Sequence, residues 1–212
     1  MECGAPLKWA DGLCDADILE RVRAYPYRSN HGSLALGAEP PAGLPEVVAF
    51  GANADPIVLA AKLGGGASVR GRPAVLADHD VVFSAHVSPY GAVPATLAPS
   101  PGTSVPVHLL RLAPPDLSRL DATEPNYVRE PLAHGIEAYR SRHGALRLDG
   151  TPVALAAVPA TGRVLPALTQ EQILERLRRA LEPAADPDAF VLAGVRDHAV
   201  RARRTAWLKG TV

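Results

Sequence analysis

Two stretches of this chain hold residues whose types and order could do chemistry. The first is Val47-Val48-Ala49-Phe50-Gly51-Ala52-Asn53-Ala54-Asp55-Pro56, an apolar run that turns tightly into a helix start. Backbone N–H groups in such a turn lie near the positive end of a helix dipole, which suits a carboxylate or another anion. Strand-turn-helix junctions are common, so this signal alone is weak. The second stretch runs Arg111-Leu112-Ala113-Pro114-Pro115-Asp116-Leu117-Ser118-Arg119-Leu120-Asp121-Ala122-Thr123-Glu124, followed by Asn126-Tyr127-Val128-Arg129-Glu130-Pro131-Leu132. It reads as strand, short helix and strand, with Glu124 in the tight connection after the helix. An isolated Glu in such a connection is ordinarily a solvated loop residue.

Other chemistries fail on spacing. Gly64-Gly65-Gly66 lacks a following Lys-Ser/Thr and ends a helix where a phosphate loop would begin one. No G-x-S-x-G elbow is present. The seven histidines form no H-x-x-x-H or H-E-x-x-H pattern, and His79 and His86 fall on opposite strand faces by parity, so no metal is expected. Cys3 and Cys14 are too far apart for a C-x-x-C pair.

The elements that must position these residues can be read from caps and periodicity. Asp15 is placed to cap a helix carrying Ile18, Leu19 and Val22. Asp55-Pro56 starts a helix with Ile57, Leu59, Ala60 and Leu63 that should stop at the glycines. Thr169 with Gln172 makes a capping box before Ile173, Leu174, Leu177 and Leu181. Asp186-Pro187 opens a final helix running toward Trp207. Strands are expected over Glu46 to Phe50, Val81 to Phe83, Val93 to Leu97 and Val105 to Leu112, and less cleanly over Tyr127 to Tyr139 and Val153 to Val158. Pro94 and Pro106 should sit at strand starts, edges or bulges. The Gly- and Pro-rich run Gly37 to Pro45 reads as a linker.

Across roughly Val47 to Leu132 the chain resembles the γ-glutamylcyclotransferase-like family. That family shows a strand ending in Tyr-Gly-Ser-Asn, a Gly-rich strand region ending in Pro-x-Pro-Gly, and Leu-Asp-x-x-Glu followed by Tyr-x-Arg. Here these stand as Phe50-Gly51-Ala52-Asn53, as Tyr90-Gly91 through Pro99-Ser100-Pro101-Gly102, and as Leu120-Asp121-Ala122-Thr123-Glu124 with Tyr127-Val128-Arg129. Order and spacing agree. The resemblance implies an α+β fold: a small mixed β-barrel with surrounding helices, spanning 46–160. An N-terminal helical segment and linker (1–45) and a C-terminal helical extension (161–212) would flank it. It further implies a small-molecule γ-glutamyl substrate and no cofactor. Glu124 would be the general acid/base. Phe50, Gly51, Ala52, Asn53, Tyr90, His108 and Tyr127 would contact substrate. The substrate's α-amino nitrogen would attack its own side-chain amide carbonyl, releasing 5-oxoproline and an amine. Nucleophile and electrophile belong to one molecule, so holding the chain folded supplies much of the acceleration.

Departures qualify what the resemblance implies. Phe50 stands where the family has Tyr and Ala52 where it has Ser, so two hydroxyls are missing while backbone contacts survive. His108 is a polar residue on the strand face shared with Leu110 and Leu112; it is either a satisfied rim histidine or a pocket residue that alters substrate choice. The segment Asp15 to Arg28 would cover an open barrel side, form a lid, or contact a second copy in a homodimer. An amidase or lyase on the same scaffold and a non-catalytic ligand-binding module are the alternatives.

Bulk properties bound the rest. The 212 residues suit one well-filled domain with embellishments. Twenty-two basic and twenty-two acidic side chains give no net charge, which argues against a nucleic-acid partner. No apolar run reaches the roughly 20 residues of a membrane span, and the N-terminus lacks the pattern of a secretory signal. Two cysteines without a framework fit a reducing cytoplasm.

Overall fold

The computed structural model describes residues 12–27, 32–64, 66–132 and 135–210. Cys3, Gly65 and Arg28, considered above, lie outside them. The element order is α1 (Asp15–Arg23), β1 (Leu34–Leu36), β2 (Glu46–Ala49), a single 3-10 turn (Ala52–Ala54), α2 (Pro56–Leu63), β3 (Val69–Phe83), β4 (Ala95–Leu112) and α3 (Pro114–Ala122). There follow β5 (Tyr127–Pro131), β6 (Ile136–Ser141), β7 (Arg147–Leu148), β8 (Thr151–Pro152), β9 (Ala154–Leu155), β10 (Ala167–Leu168), α4 (Gln170–Leu181), α5 (Pro187–Arg196) and α6 (His198–Gly210).

Eight strands form one mixed sheet in the order β10-β9-β3-β4-β2-β6-β5, with β1 added on β3. The β2–β6 and β9–β10 pairs are parallel and the other pairs antiparallel. Helices cover both faces, so the fold is α+β, but the expected barrel is a correction: the sheet does not close. Among the described residues no ladder joins β5 to β10 or β1. The physical reason is strand length, since β9 and β10 offer two residues each and cannot carry a continuous ladder around to β5.

Strand alternation sorts side chains onto two cores. Val48, Val107 and Leu109 join the larger one, with Ile18, Leu19 and Val22 of α1, Ile173 and Leu177 of α4, Phe190 of α5 and Leu208 of α6. Val47, Ala49, Leu110 and Leu112 point the other way, against Leu59 and Leu63 of α2 and Leu120 of α3. Thus β2 runs through the middle of the sheet, and its C-terminal end delivers the Gly51 turn at the α2 side.

Several local readings need adjustment. Strand β4 is one 18-residue element where two were expected. Ser100-Pro101-Gly102-Thr103 forms a bulge inside it, between the His79–Pro99 and Ala77–Ser104 pairs, where Asp78 Oδ1 accepts from the Gly102 N–H at 2.9 Å. A bulge leaves backbone N–H groups out of the ladder, so proline is tolerated there. The stretch Tyr127 to Tyr139 is two strands, β5 and β6. The last helix is two, because the Asp197 carboxylate accepts from Ala199 N–H at 2.7 Å and caps a new start. Helix α1 is capped by Cys14, with Asp15 its first residue. The segment read as helix and linker also contributes strand β1. Among the described residues no helix is long and apolar enough to cross a membrane.

Candidate functional site

The Gly51 turn is built by its neighbours. Ala54 N–H donates to Gly51 O at 2.9 Å and Asp55 N–H to Ala52 O at 3.1 Å, closing the 3-10 turn. The Asp55 carboxylate then accepts from Ile57 N–H at 2.8 Å and Val58 N–H at 3.0 Å, which starts α2. Among the described residues nothing accepts from the N–H groups of Gly51, Ala52 or Asn53. They remain available to an anion or a carbonyl oxygen.

Glu124 is held by the turn that ends α3. Its N–H donates to Asp121 O at 3.1 Å, and Tyr127 N–H donates to Glu124 O at 3.0 Å. Pro125 between them favours this tight reversal. The Glu124 side chain reaches the Gly51 turn, where Asn53 Nδ2 donates to its Oε1 at 2.9 Å across 71 residues of sequence. Lys62 of α2 donates to the same Oε1 at 2.6 Å and to Asn53 Oδ1 at 2.7 Å. Lys62 and Glu124 side chains are only 8% and 11% exposed, so this is a largely desolvated ion pair tied to the turn.

Tyrosines stand within reach of the Glu124 charge. The chain has five, and the Glu124 charge acts on Tyr25, Tyr90, Tyr127 and Tyr139. Burial, the largest cause in each, pushes all four phenols upward, Tyr90 to about 12. The Ala95 peptide clamps two of them: Tyr127 donates its hydroxyl proton to Ala95 O at 2.9 Å, and the Tyr25 hydroxyl accepts from Ala95 N–H at 2.8 Å. Tyr139 donates to Asp121 Oδ1 at 2.6 Å, and Arg129 donates to both Asp121 oxygens at 3.0 and 3.1 Å. Arg129 also reaches Glu137, so it buttresses the α3–β5 connection and leaves Lys62 as the cation on Glu124.

A small cleft of about 70 Å³ opens on the other flank of the turn, bordered by Tyr27, Phe50, Gly51, Ala54, Pro73, Pro106, His108 and Val158. Its walls are mainly apolar. Gly51 and Ala54 face it while Asn53 of the same turn reaches Glu124, which is not on its wall. His108 is buried, sits opposite Ala49, and its Nε2 lies 2.9 Å from Gly32 O, so it borders the cleft as a satisfied histidine.

The structure therefore gathers Gly51, Ala52, Asn53, Tyr127 and Glu124 at one end of β2, with Phe50 and His108 on the cleft side. Sequence reading missed Lys62, Tyr25 and Tyr139. A lysine in the last turn of a helix is generic, and isolated tyrosines carry no spacing signal. Behind Tyr127 lies a further polar group that the sequence did not announce. His86 stacks on His143 with ring centroids 4.5 Å apart, and its Nδ1 is 2.6 Å from Ser84 Oγ. Burial, then His143 and Lys209, lowers the His86 pKa to about 3. Comparison with protein-family models, with curated proteins and with solved structures returned no match.

Proposed function

We propose that the protein is a γ-glutamylcyclotransferase-like enzyme, releasing an amine from a γ-glutamyl amide with formation of 5-oxoproline. One observation carries this reading: the Asn53 amide and the Glu124 carboxylate, from the two resembling motifs, meet at 2.9 Å. In this mechanism the free N–H groups of Gly51, Ala52 and Asn53 bind the γ-glutamyl portion. Glu124 takes a proton from the α-ammonium, the freed nitrogen closes on the side-chain carbonyl carbon, Glu124 returns that proton to the departing amine, and the regenerated carboxylate relays the ring nitrogen's second proton to the same amine, which leaves as its ammonium ion. Turn and carboxylate together fix a chain that must fold on itself, which is where proximity acts. Lys62 holds the carboxylate toward the turn and supplies positive charge for the substrate's own carboxylate.

A second reading, a ligand-binding module that keeps the scaffold, has one observation in its favour. Glu124 already has a buried counter-charge in Lys62 and so a structural reason to be present. Incubating the purified protein with a panel of γ-glutamyl amines and dipeptides separates the two. The enzyme reading expects 5-oxoproline in step with released amine; binding without either product would favour the module.

A further inference from the structure

The two hydroxyls absent from the turn, at Phe50 and Ala52, leave the site short of side-chain donors. One hydroxyl arrives from elsewhere. Tyr25, just beyond α1, is 6% exposed and packs in the larger core, yet its phenol oxygen reaches the turn. A Cβ built on Gly51 would lie 3.0 Å from that oxygen, so a side chain at position 51 would press on the phenol. The Tyr25 oxygen accepts from Ala95 N–H at 2.8 Å. Among the described residues its own proton has no acceptor. Tyr127 differs, since its proton is committed to Ala95 O. A buried donor left unpaired is costly. Such a donor beside unpaired backbone N–H groups forms a site for an oxygen supplied from outside. Burial keeps the phenol protonated, and the Ala95 N–H fixes its orientation.

We propose that Tyr25 is the hydrogen-bond donor to the side-chain carbonyl oxygen of the γ-glutamyl amide, acting with the N–H groups of the Gly51 turn. This rests on the cyclotransferase reading above and adds a catalytic residue from outside its motifs. The α-amino nitrogen, having lost a proton to Glu124, forms the new C–N bond, and the carbonyl electron pair moves onto oxygen under the Tyr25 O–H. Collapse of that oxyanion restores the C=O and breaks the bond to the amine, which takes the proton from Glu124; the regenerated carboxylate then relays the second proton of the ring nitrogen to the freed amine, which leaves as its ammonium ion. Tyr25 keeps its proton throughout. The N-terminal segment thereby completes the site as well as covering the sheet.

The test is Tyr25→Phe on the γ-glutamyl amide that the wild type turns over, run beside the same compound with its side-chain carbonyl replaced by thiocarbonyl. Loss of one such donor should lower kcat by about 10²- to 10³-fold, with KM little changed. Sulfur is a weak acceptor, so the thioamide should slow the wild type far more than the variant. An unchanged kcat in folded Tyr25→Phe, or an equal thioamide effect in both proteins, overturns the proposal. Should Tyr25→Phe fail to fold for want of the Ala95 N–H acceptor, 3,5-difluorotyrosine at position 25 keeps that acceptor and alters the donor. A changed kcat at unchanged melting temperature then supports the role, and an unchanged kcat overturns it. A wild type inactive on every γ-glutamyl amide instead removes the parent reading, and this inference with it.

Discussion

Replacing Lys62 by Met keeps the length of the side chain and removes its charge, leaving Glu124 largely buried with the Asn53 amide on it but no counter-charge. The pair is 2.6 Å apart with side chains 8% and 11% exposed, so solvent cannot take over the role of the ammonium. Breaking a buried pair by deleting one member costs about 3–5 kcal/mol. The small residual exposure of both groups places Lys62→Met toward the lower end, about 3 kcal/mol. The lost hydrogen bond to Asn53 Oδ1, 2.7 Å in the native protein, adds about 1 kcal/mol. At about 2–4 °C per kcal/mol for a chain of this size, the melting temperature should fall by roughly 8–16 °C. Urea denaturation and a thermal scan of wild type and Lys62→Met measure both quantities. Adding Glu124→Gln to Lys62→Met removes the stranded charge, so the double variant should recover about 1 kcal/mol or more. The reasoning is refuted if Lys62→Met lies within about 0.5 kcal/mol of wild type, as an exposed surface change would, or if the second substitution recovers nothing.

The buried His86 sets a pH dependence of stability. Its folded pKa is about 3 and its ordinary value 6.5, so the unfolded chain binds the extra proton between those limits. Stability should therefore be complete above about pH 6.5 and fall as the pH drops toward 3, by at most about 1.4 kcal/mol per pH unit from this group. Urea midpoints across that range should decline less steeply in His86→Gln, and equal slopes would contradict the assignment. Asp121 is the hub of Arg129 and Tyr139: burial raises its pKa, but the hydrogen bonds from those two residues outweigh it and hold the carboxyl low. Asp121→Asn should cost about 1–3 kcal/mol by weakening that network. It should also disturb the connection carrying Glu124, which chemical denaturation and near-UV circular dichroism would register; no change in either would refute the hub.

Much of the fold was legible where local chemistry dictates geometry. Asp55-Pro56, the Thr169–Gln172 box and Gly64 mark helix ends through hydrogen bonds made within a few residues, and the helices begin and end there. Prolines misled where tertiary pairing overrides local preference, since the bulge at Ser100 to Thr103 lets β4 continue past Pro99 and Pro101. Barrel closure was illegible because it depends on how many residues each distant strand contributes. At the site, the motif order indicated Asn53 and Glu124. Lys62 and the tyrosines converge only through packing of α1, α2, β4 and β5, which no spacing in the chain encodes.

The central claim is that Glu124 moves a proton in the cyclisation of a γ-glutamyl amide. Its most direct measurement is the rate of 5-oxoproline formation by wild type and Glu124→Gln on the same compound. Substrate affinity and circular dichroism are recorded for both proteins. Gln retains a carbonyl acceptor for Asn53 and Lys62 but cannot accept the proton. The account predicts 5-oxoproline and amine in equal amounts from the wild type, and a rate lower by about 10²- to 10⁴-fold in Glu124→Gln with binding and fold intact. Equal rates in the two proteins, or no 5-oxoproline from the wild type on any γ-glutamyl amide, would contradict it.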